Sequence, residues 1–314
     1  ETLLTSAKTT GLGVIELSSL FNNLKPDIVI TIADRYETMS TAISASYMNI
    51  PLAHIQGGEV TGNIDEKVRH SITKLSDYHF VSSDNAYERV KKLGENPKFI
   101  FNTGCPSIDL AEQIKENKPL DYSPFEKYKG VGNTFSFKKG YWVVMQHPLT
   151  TEIAKTRNDF KYIFSAVKKT NDPVFWFWPN IDSGSDIIAN AIRSKREQGN
   201  LENFFFLKNI KSKDFLKLLN NSTGIIGNSS VGIRECSFLG VPAINIGLRQ
   251  NKRDRGPNVY DVEANENQIL EAINIIKKSK RPSPSKIYGE GDSGLKISNI
   301  LVDLPLTYNK TITY

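Results

Sequence analysis

Residues 27–32 read DIVITI, a short apolar run in which β-branched side chains predominate. Such a run is typical of a strand that is buried on both faces of a parallel sheet. Residues 36–48 then have the pattern of a helix, and a second apolar run follows at residues 50–55. Because strands and helices keep alternating up to about residue 101, we expect a doubly wound α/β domain in this part of the chain.

A second domain of the same class is predicted further along the chain. Residues 117–140 are polar and rich in glycine, proline and lysine, and we interpret them as a linker. Strands and helices alternate again from residue 141 to residue 278. Two such domains that face a cleft make a site for a nucleotide-type ligand. The predicted division is an N-terminal Rossmann-like domain over residues 1–120, a C-terminal Rossmann-like domain over residues 121–298 and a tail over residues 299–314.

The overall composition excludes several classes of protein. Of the 314 residues, 39% are hydrophobic and 24% are charged, which excludes disordered and fibrous chains. No apolar run approaches the roughly 18 residues that span a bilayer, so no membrane partner is expected. The two cysteines, Cys105 and Cys236, argue against a disulfide scaffold and favour a cytoplasmic protein.

Part of the formal net charge of +6 is concentrated in one short stretch. Arg249, Lys252, Arg253 and Arg255 place four cations within seven residues. No aromatic residues are interleaved with them, as a surface that stacks bases would need, so no nucleic-acid partner is expected. We interpret the stretch as a phosphate-binding loop, with an ordinary solvated basic surface as the alternative.

A small-residue loop at residues 227–230 (GNSS) follows the predicted strand 224–226 and precedes a predicted helix over residues 230–238. Its small residues permit close backbone approach, its hydroxyls can donate, and a helix N-terminus favours an anion. The loop therefore predicts a diphosphate site. The alternative is that Ser229 or Ser230 only caps the helix.

Other polar groups follow predicted strands, at the ends where ligands bind in open α/β sheets. The candidate catalytic residues are Asp34, Gln56, Glu59, Asp65, Glu66 and His147, of which the carboxylates and the histidine are suited to acid–base chemistry. Asp34 could instead cap a helix, and Asp65 and Glu66 stand at a helix start, where carboxylates are favoured in any case. The four histidines show no ligand spacing with cysteines or carboxylates, so no metal is expected.

In their order and spacing, these motifs resemble those of the UDP-N-acetylglucosamine 2-epimerase family. The closer match is to its hydrolysing branch, which makes N-acetylmannosamine for sialic acid synthesis. The resemblance runs over essentially the whole chain. It is carried by residues 34–37 (DRYE), 54–74, 103–107 (TGCPS), 146–148 (QHP), 179–182 (PNID), 227–235 and 247–259.

The resemblance implies a glycosyltransferase-B-like pair of Rossmann domains, a homodimer or homotetramer, and a reaction without metal or NAD. The residues that it implies for binding UDP and sugar are Arg35, Arg69, His147, Asn180, Gly227, Asn228, Ser229, Ser230, Glu235 and Arg249. The family often has Glu where this chain has Gln56, which cannot take a proton at neutral pH. Glu59, three residues further on, could substitute.

The reaction implied is the conversion of UDP-N-acetylglucosamine and water to N-acetylmannosamine and UDP. A base removes the proton at C2 of the sugar as UDP leaves, and water then adds to the resulting 2-acetamidoglucal. Asp34 is the first candidate for acid–base work, and His147 for stabilising the leaving diphosphate. Two alternatives remain: a hydrolysing 2-epimerase of UDP- or GDP-N,N′-diacetylbacillosamine, of the legionaminic acid pathway, and a sugar-nucleotide binder without catalysis.

The first element predicted is a helix over residues 2–23, bent or broken near Gly11 and Gly13. Members of the resembled family begin instead with a strand and a loop that also touches the nucleotide. We therefore expect that about two βα units, on the order of 70 residues, are absent before this helix. On this expectation, the 314-residue chain is less soluble and less active than a version extended at its N-terminus.

Overall fold

The computed structural model describes residues 2–61, 64–116, 119–149, 153–180 and 184–313. The chain divides into two compact units. Thr2–Asp109 and Tyr288–Tyr314 form the first, here called the N-terminal unit, and Leu110–Ile287 form the second, the C-terminal unit. Each unit contains a parallel sheet with helices between its strands, which confirms the predicted α/β class with two Rossmann-like parts.

The N-terminal unit is built on a four-stranded parallel sheet in the order β1-β2-β3-β4. Its strands are β1 (Val29–Ile32), β2 (Leu52–Ile55), β3 (Tyr78–Val81) and β4 (Ile100–Asn102). Its helices are α1 (Leu3–Leu24), α2 (Tyr36–Tyr47), α3 (Ile64–Leu75), α4 (Asp84–Lys92), α5 (Pro106–Glu112), which runs across the division, and α12 (Ser293–Asp303).

The C-terminal unit contains a seven-stranded sheet. Its strands are β5 (Val131–Gly132), β6 (Trp142–Met145), β7 (Val174–Phe177), β8 (Phe204–Leu207), β9 (Gly224–Gly227), β10 (Ala243–Ile246) and β11 (Val259–Val262). Its helices are α6 (Pro124–Lys127), α7 (Ile153–Thr170), α8 (Ser185–Glu197), α9 (Ser212–Asn220), α10 (Glu235–Leu239) and α11 (Glu266–Lys278). Among these helices and those of the N-terminal unit, none that is described combines the length and the apolar character needed to cross a membrane.

The strand order of the C-terminal sheet, β11-β10-β9-β6-β7-β8-β5, contains a reversal. From β6 the chain adds β7 and β8 on one side, and then returns to place β9, β10 and β11 on the other. Among the described strands of this sheet, only β5 is antiparallel to its neighbour. The reversal between β6 and β9 is a topological switch point, and in open α/β sheets ligands bind at the carboxyl ends of the strands beside such a point.

The core of the C-terminal unit explains why the apolar runs become strands. Every residue of β7 and β8 is buried. Trp176 of β7 packs against Phe204 and Phe206 of β8, with ring centroids 6.4 Å apart in each pair. Burying one such side chain contributes roughly 1.5–3 kcal/mol, so this layer anchors the strands that carry the loops described below.

The expectation that residues 27–32 are buried on both faces is wrong. β1 is an edge strand, with Val29 buried against α1 and α2 on one face. On the other face, Ile30 is 46% and Ile32 45% exposed. The apolar run correctly predicts a strand but not its lateral position, because position depends on which neighbours pair with it.

The predicted break of the first helix is also wrong, since α1 continues through Gly11 and Gly13. The reason is packing against α2. A Cβ on Gly13 would lie 2.7 Å from Ser40 Oγ, and that hydroxyl donates to Thr10 O (2.8 Å). Gly13 thus permits the close approach of two helices.

The turn-rich stretch predicted to be a linker belongs instead to the C-terminal unit. Asn117 and Lys118 lie outside the described residues. Residues 119–140 include α6 and β5, and β5 pairs with β8. Phe125 packs on Phe175 and Phe205, with centroids 5.6 and 4.8 Å apart. The units therefore divide between residues 109 and 110 rather than 120 and 121, because this segment buries its aromatic rings on the second sheet.

The second division, between residues 287 and 288, also differs from the predicted boundary at 298. Asp109 accepts hydrogen bonds from the amides of Ser293 (2.9 Å) and Gly294 (2.7 Å) at the start of α12. Ile297 of α12 is buried in the core of the N-terminal unit. The predicted tail, of which Tyr314 is outside the described part, therefore continues along the N-terminal unit.

Candidate functional site

The first cluster of site residues lies at the carboxyl ends of β1 and β2 in the N-terminal unit. Ala33 and Gln56, the residues directly after these strands, both have left-handed backbones, with φ of 63° and 67°. The Ala33 amide donates to Ile55 O and the Gln56 amide to Phe80 O, each over 2.9 Å. Non-glycine residues in this region store strain of roughly 1 kcal/mol or more and are concentrated at functional sites. Here they turn the chain sharply just before Asp34 and Gly57.

Arg69 of α3 ties together the loops that follow these two strands. Its side chain is 1% exposed. One guanidinium nitrogen donates to Asp34 Oδ2, and the other donates to the carbonyl oxygen of Glu59 (2.8 Å). The capping alternative for Asp34 is wrong, because the residue that precedes α2 is Arg35. The Asp34 carboxylate is thus held by a buried cation at the sheet edge.

His54, in β2, is a structural member of this cluster. Its ring Nε2 lies 2.9 Å from Ala33 O, which can only accept, so Nε2 carries the proton. Nδ1 lies 3.2 Å from Thr73 Oγ1 on α3. Burial lowers the pKa of His54 to about 3, so the ring is neutral at physiological pH. It therefore fixes β1 to α3 without contributing charge.

Gln56 is held by a residue to which sequence reasoning gave no role. Its Nε2 donates to the Cys105 sulfur over 3.0 Å, and that sulfur lies 3.1 Å from Ser107 Oγ. Both Gln56 and Cys105 are buried. Cys105 lies in a polar motif directly after a predicted strand, and this position could have indicated a role in the site.

The carboxylates at the start of α3 differ in what holds them. Glu66 Oε2 accepts from the Thr61 amide (3.1 Å), and Glu66 Oε1 lies 3.5 Å from His70 Nε2. Glu66 therefore joins the first turn of α3 to the chain that precedes the helix. Asp65 is half-buried on the same turn. Arg35 pairs with Glu37 (3.2 Å) in a largely exposed position.

The second cluster lies at the switch point of the C-terminal sheet and is organised by Asn228. Asn228 is 1% exposed. Its Oδ1 accepts from the His147 amide (2.8 Å), and its Nδ2 donates to His147 O (2.9 Å). Its own carbonyl accepts from Arg249 Nη1 (3.2 Å) and Gln250 Nε2 (2.9 Å). One residue thus joins the loops after β6, β9 and β10.

Gly227 permits this junction. Its φ is 140°, and a Cβ at this position would overlap the carbonyl oxygen of Met145, the last residue of β6. Only glycine combines that conformation with so close a neighbour. The loops after β6 and β9 can therefore meet directly.

His147 is buried at this junction as a neutral hydrogen-bond donor. Its Nδ1 accepts from the Asn180 amide (3.2 Å), which leaves the proton on Nε2. Burial, with a smaller contribution from the charge of Arg249, lowers the pKa of His147 to about 3. The ring can donate to an anionic oxygen, but it is not a proton source at neutral pH.

The predicted helix over residues 230–238 is broken. Ser230–Gly232 form a single 3₁₀ turn, and α10 begins only at Glu235. The Gly232 carbonyl, which a continuous helix would use, accepts from Asn258 Nδ2 (3.1 Å). Ser229 Oγ accepts from the Val231 amide (3.4 Å), so Ser229 caps this 3₁₀ turn. A hydroxyl that accepts there can still donate elsewhere.

Only part of the basic stretch belongs to this cluster. Arg249 bonds to Asn228 O, as described. Arg255 instead pairs with Asp261 of β11 (3.0 Å) and donates to Arg253 O (2.8 Å). Arg255 therefore stabilises the loop before β11.

With this geometry established, comparison with known proteins identifies the family. Residues 1–302 match the family described as UDP-N-acetylglucosamine 2-epimerase. The chain belongs to this family.

Two relatives illustrate the range of this epimerase family. The chain is 31% identical over 300 residues to the UDP-N,N′-diacetylbacillosamine 2-epimerase (hydrolyzing) of Legionella pneumophila, covering 96% of this chain and 77% of the relative. It is 39% identical over 268 residues to polysialic acid biosynthesis protein P7 of Escherichia coli, covering 83% of this chain and 64% of that protein.

Solved structures of the epimerase family share the fold. The Methanocaldococcus jannaschii UDP-GlcNAc 2-epimerase, in complex with UDP-GlcNAc and UDP, aligns with a TM-score of 0.77 and 20% identity. The alignment covers 95% of this chain and 81% of that one.

For this epimerase-family chain, the predicted site residues fall into two groups, one in each unit. Asp34, Gln56, Glu59, Asp65, Glu66 and Arg69 surround the start of α3, and Arg35 is exposed nearby. His147, Gly227, Asn228, Ser229, Ser230, Glu235 and Arg249 surround the switch point, where Asn180 contributes its backbone amide. Ile181 and Asp182 of the PNID motif lie outside the described residues. Gln250, which is fully buried here, was not predicted, although it directly follows Arg249.

Proposed function

We propose that this protein is a hydrolysing 2-epimerase that converts UDP-N-acetylglucosamine and water to N-acetylmannosamine and UDP. The observation that carries the proposal is the junction at the switch point. There, the neutral donor His147 and the cation Arg249 are both fixed by Asn228, beside a loop that only glycine permits. Such a site suits an anionic leaving group.

On this proposal, the second cluster binds the nucleotide diphosphate. Arg249 supplies positive charge, and His147 Nε2–H and the hydroxyl of Ser230 donate to phosphate oxygens. Glu235 Oε2 is buried and has no hydrogen-bond partner among the described residues, so it is available to accept from a ribose hydroxyl. Donors fixed before the reaction stabilise the charge that develops as UDP leaves.

The first cluster provides the acid–base chemistry. Asp34, oriented by Arg69, takes the proton from C2 of the sugar. The C1–O bond to the diphosphate breaks with its electron pair on oxygen, a C1=C2 double bond forms, and UDP leaves. Water then adds its hydroxyl to C1 while C2 receives a proton on the opposite face. We propose that the protonated carboxyl group of Glu59 or Asp65 supplies that proton, and that the resulting carboxylate takes up the proton that water loses.

A second candidate substrate is supported by the Legionella relative, whose name specifies UDP-N,N′-diacetylbacillosamine. The same chemistry at C1 and C2 would apply, and only the groups on the remaining ring carbons would differ. The third candidate function is binding of a sugar nucleotide without catalysis.

The test is to incubate the protein separately with the two UDP-sugars and to identify the products by NMR. Free N-acetylmannosamine and UDP in equal amounts support the main proposal. If kcat/KM is at least tenfold higher for UDP-N,N′-diacetylbacillosamine than for UDP-N-acetylglucosamine, the diacetylbacillosamine compound is the substrate. UDP-N-acetylmannosamine would contradict hydrolysis, and tight binding without any product would indicate a binder.

A further inference from the structure

The segment after α12, residues 304–313, is fastened along the N-terminal unit. The Tyr78 hydroxyl donates to Pro305 O (2.6 Å) and accepts from the Thr307 amide (2.7 Å). Further on, the Thr313 amide donates to Gly94 O (3.0 Å). These contacts hold the chain on both sides of Lys310.

Lys310 reaches from this segment to the C-terminal end of α3. Its Nζ lies within hydrogen-bonding distance of the carbonyl oxygens of Thr73 (3.2 Å), Lys74 (2.9 Å) and Ser76 (2.5 Å). The last carbonyls of a helix lack partners within the helix and carry partial negative charge. A single ammonium group from a distant part of the chain therefore caps α3.

Glu95 fixes the Lys310 ammonium in this position. It is 1% exposed and lies 2.6 Å from Lys310 Nζ, 2.6 Å from Lys74 Nζ and 3.0 Å from His79 Nε2. Burial raises the pKa of Glu95, but the hydrogen bonds from His79, Lys310 and Lys74 outweigh it and hold the pKa at about 2. Glu95 is therefore ionised at neutral pH, and its removal would leave the half-buried ammonium groups of Lys74 and Lys310 without this counter-ion.

The helix that Lys310 caps also carries the groups that hold the first cluster. Arg69, which binds Asp34, stands one turn before Thr73, and its carbonyl accepts from Thr73 Oγ1 (3.0 Å). Thr73 Oγ1 in turn contacts His54. A helix moves nearly as a rigid rod, so a shift at its capped end displaces Arg69 as well. A misplacement of about 1 Å is enough to cost on the order of 100-fold in rate.

We propose that Lys310 is a positioning residue for the epimerase reaction: by capping α3 it keeps Arg69, and through it Asp34, in the reactive arrangement. This inference rests on the proposed function, in which Asp34 takes the C2 proton. It adds a residue more than 240 positions from Arg69 in the chain, with no contact to the substrate required.

The test compares Lys310→Met, which keeps the length of the side chain without its charge, with Lys310→Arg and with the control Lys296→Met. Lys296 is exposed on α12 and pairs with Asp292 at the start of the same helix. We expect Lys310→Met to lower kcat at least tenfold while the Kd for UDP changes less than twofold. Lys310→Arg should recover at least half of the wild-type kcat, and Lys296→Met should match the wild type.

Hydrogen exchange of the α3 amides gives a readout that does not depend on turnover. We expect Lys310→Met to accelerate exchange in α3 at least tenfold and to leave α7 and α11 unchanged. Unchanged kcat with unchanged α3 exchange would overturn the inference, and so would equal acceleration in all helices, which would indicate general destabilisation. If Lys310→Met does not fold, the test uses Lys310→Arg alone. A Lys310→Arg variant that has wild-type exchange in α3 but less than a tenth of the wild-type kcat would also overturn the inference. If the wild type lacks turnover, accelerated α3 exchange would still support the cap, and only the proposed function would fail.

Discussion

At the scale of single residues, Asp34 is the group on which the proposed chemistry depends. Replacing Asp34 with Asn keeps its shape but removes the base, so we expect kcat to fall by about 100-fold or more. The Kd for UDP, measured by calorimetry, should change less than threefold because the nucleotide is assigned to the other cluster. Asp303→Asn, at an exposed position at the end of α12, is the matched control. Normal turnover by Asp34→Asn would contradict the proposed role of Asp34 as the base.

Three buried histidines make the stability of the chain sensitive to mild acid. Burial lowers the pKa values of His54 and His147 to about 3 and also lowers that of His79. Below about pH 6.5 the unfolded chain binds more protons than the folded chain, so stability present above that pH is lost as the pH falls toward 3. Each histidine lowers the free energy of unfolding by up to about 1.4 kcal/mol per pH unit.

We therefore expect the urea midpoint to fall steadily between pH 6.5 and pH 4.5. His147→Gln should show a shallower fall because one titrating group is gone. Asn190→Gln, at an exposed position with no titrating group, should fall as steeply as the wild type. A midpoint that stays constant over this range in the wild type would contradict the buried, neutral histidines.

The site residues could be predicted from sequence only as far as their position after strands. That rule placed Asp34 and His147 correctly at strand ends. The tautomer of His147 could not be predicted, because it depends on the Asn180 amide, which comes from another loop. The roles of Asn228 and Gln250 in joining three loops likewise arise only when β6, β9 and β10 lie side by side.

At the scale of elements, the junction of β6 and β9 depends on Gly227. Gly227→Ala would push a methyl group into the Met145 carbonyl, and we expect a loss of about 3 kcal/mol of unfolding free energy. Gly11→Ala is the contrasting variant, because Gly11 lies in α1 with open space around its Cα. We expect Gly11→Ala to raise the free energy of unfolding by about 0.5–1 kcal/mol. Urea unfolding measures both, and equal effects of the two substitutions would refute the close approach at Gly227.

Local sequence patterns predicted most elements but not how they end or pair. The alternation of apolar runs and helical stretches correctly predicted β2 and α2 within a few residues. It failed for residues 230–238, where a side chain from a distant loop, Asn258, takes the carbonyl that a helix would need. It also failed for the exposed face of β1, because an edge strand and a central strand can share one apolar pattern.

At the scale of the whole molecule, the two-part α/β organisation follows from the repeating strand–helix order, which is a local property. The boundaries between the two units do not follow from this local order. They depend on where Phe125 packs and on the return of α12 to the N-terminal unit, and neither is encoded in local turn composition. Family membership adds the chemistry that the fold alone does not specify.

The most direct test of the central claim is to run the reaction on UDP-N-acetylglucosamine in D₂O and to follow it by NMR. The proposed mechanism breaks the C2–H bond and takes the new hydrogen from solvent. It therefore predicts release of UDP together with N-acetylmannosamine that carries deuterium at C2. Released sugar that retains its original C2 proton, or a product that stays attached to UDP, would contradict the account.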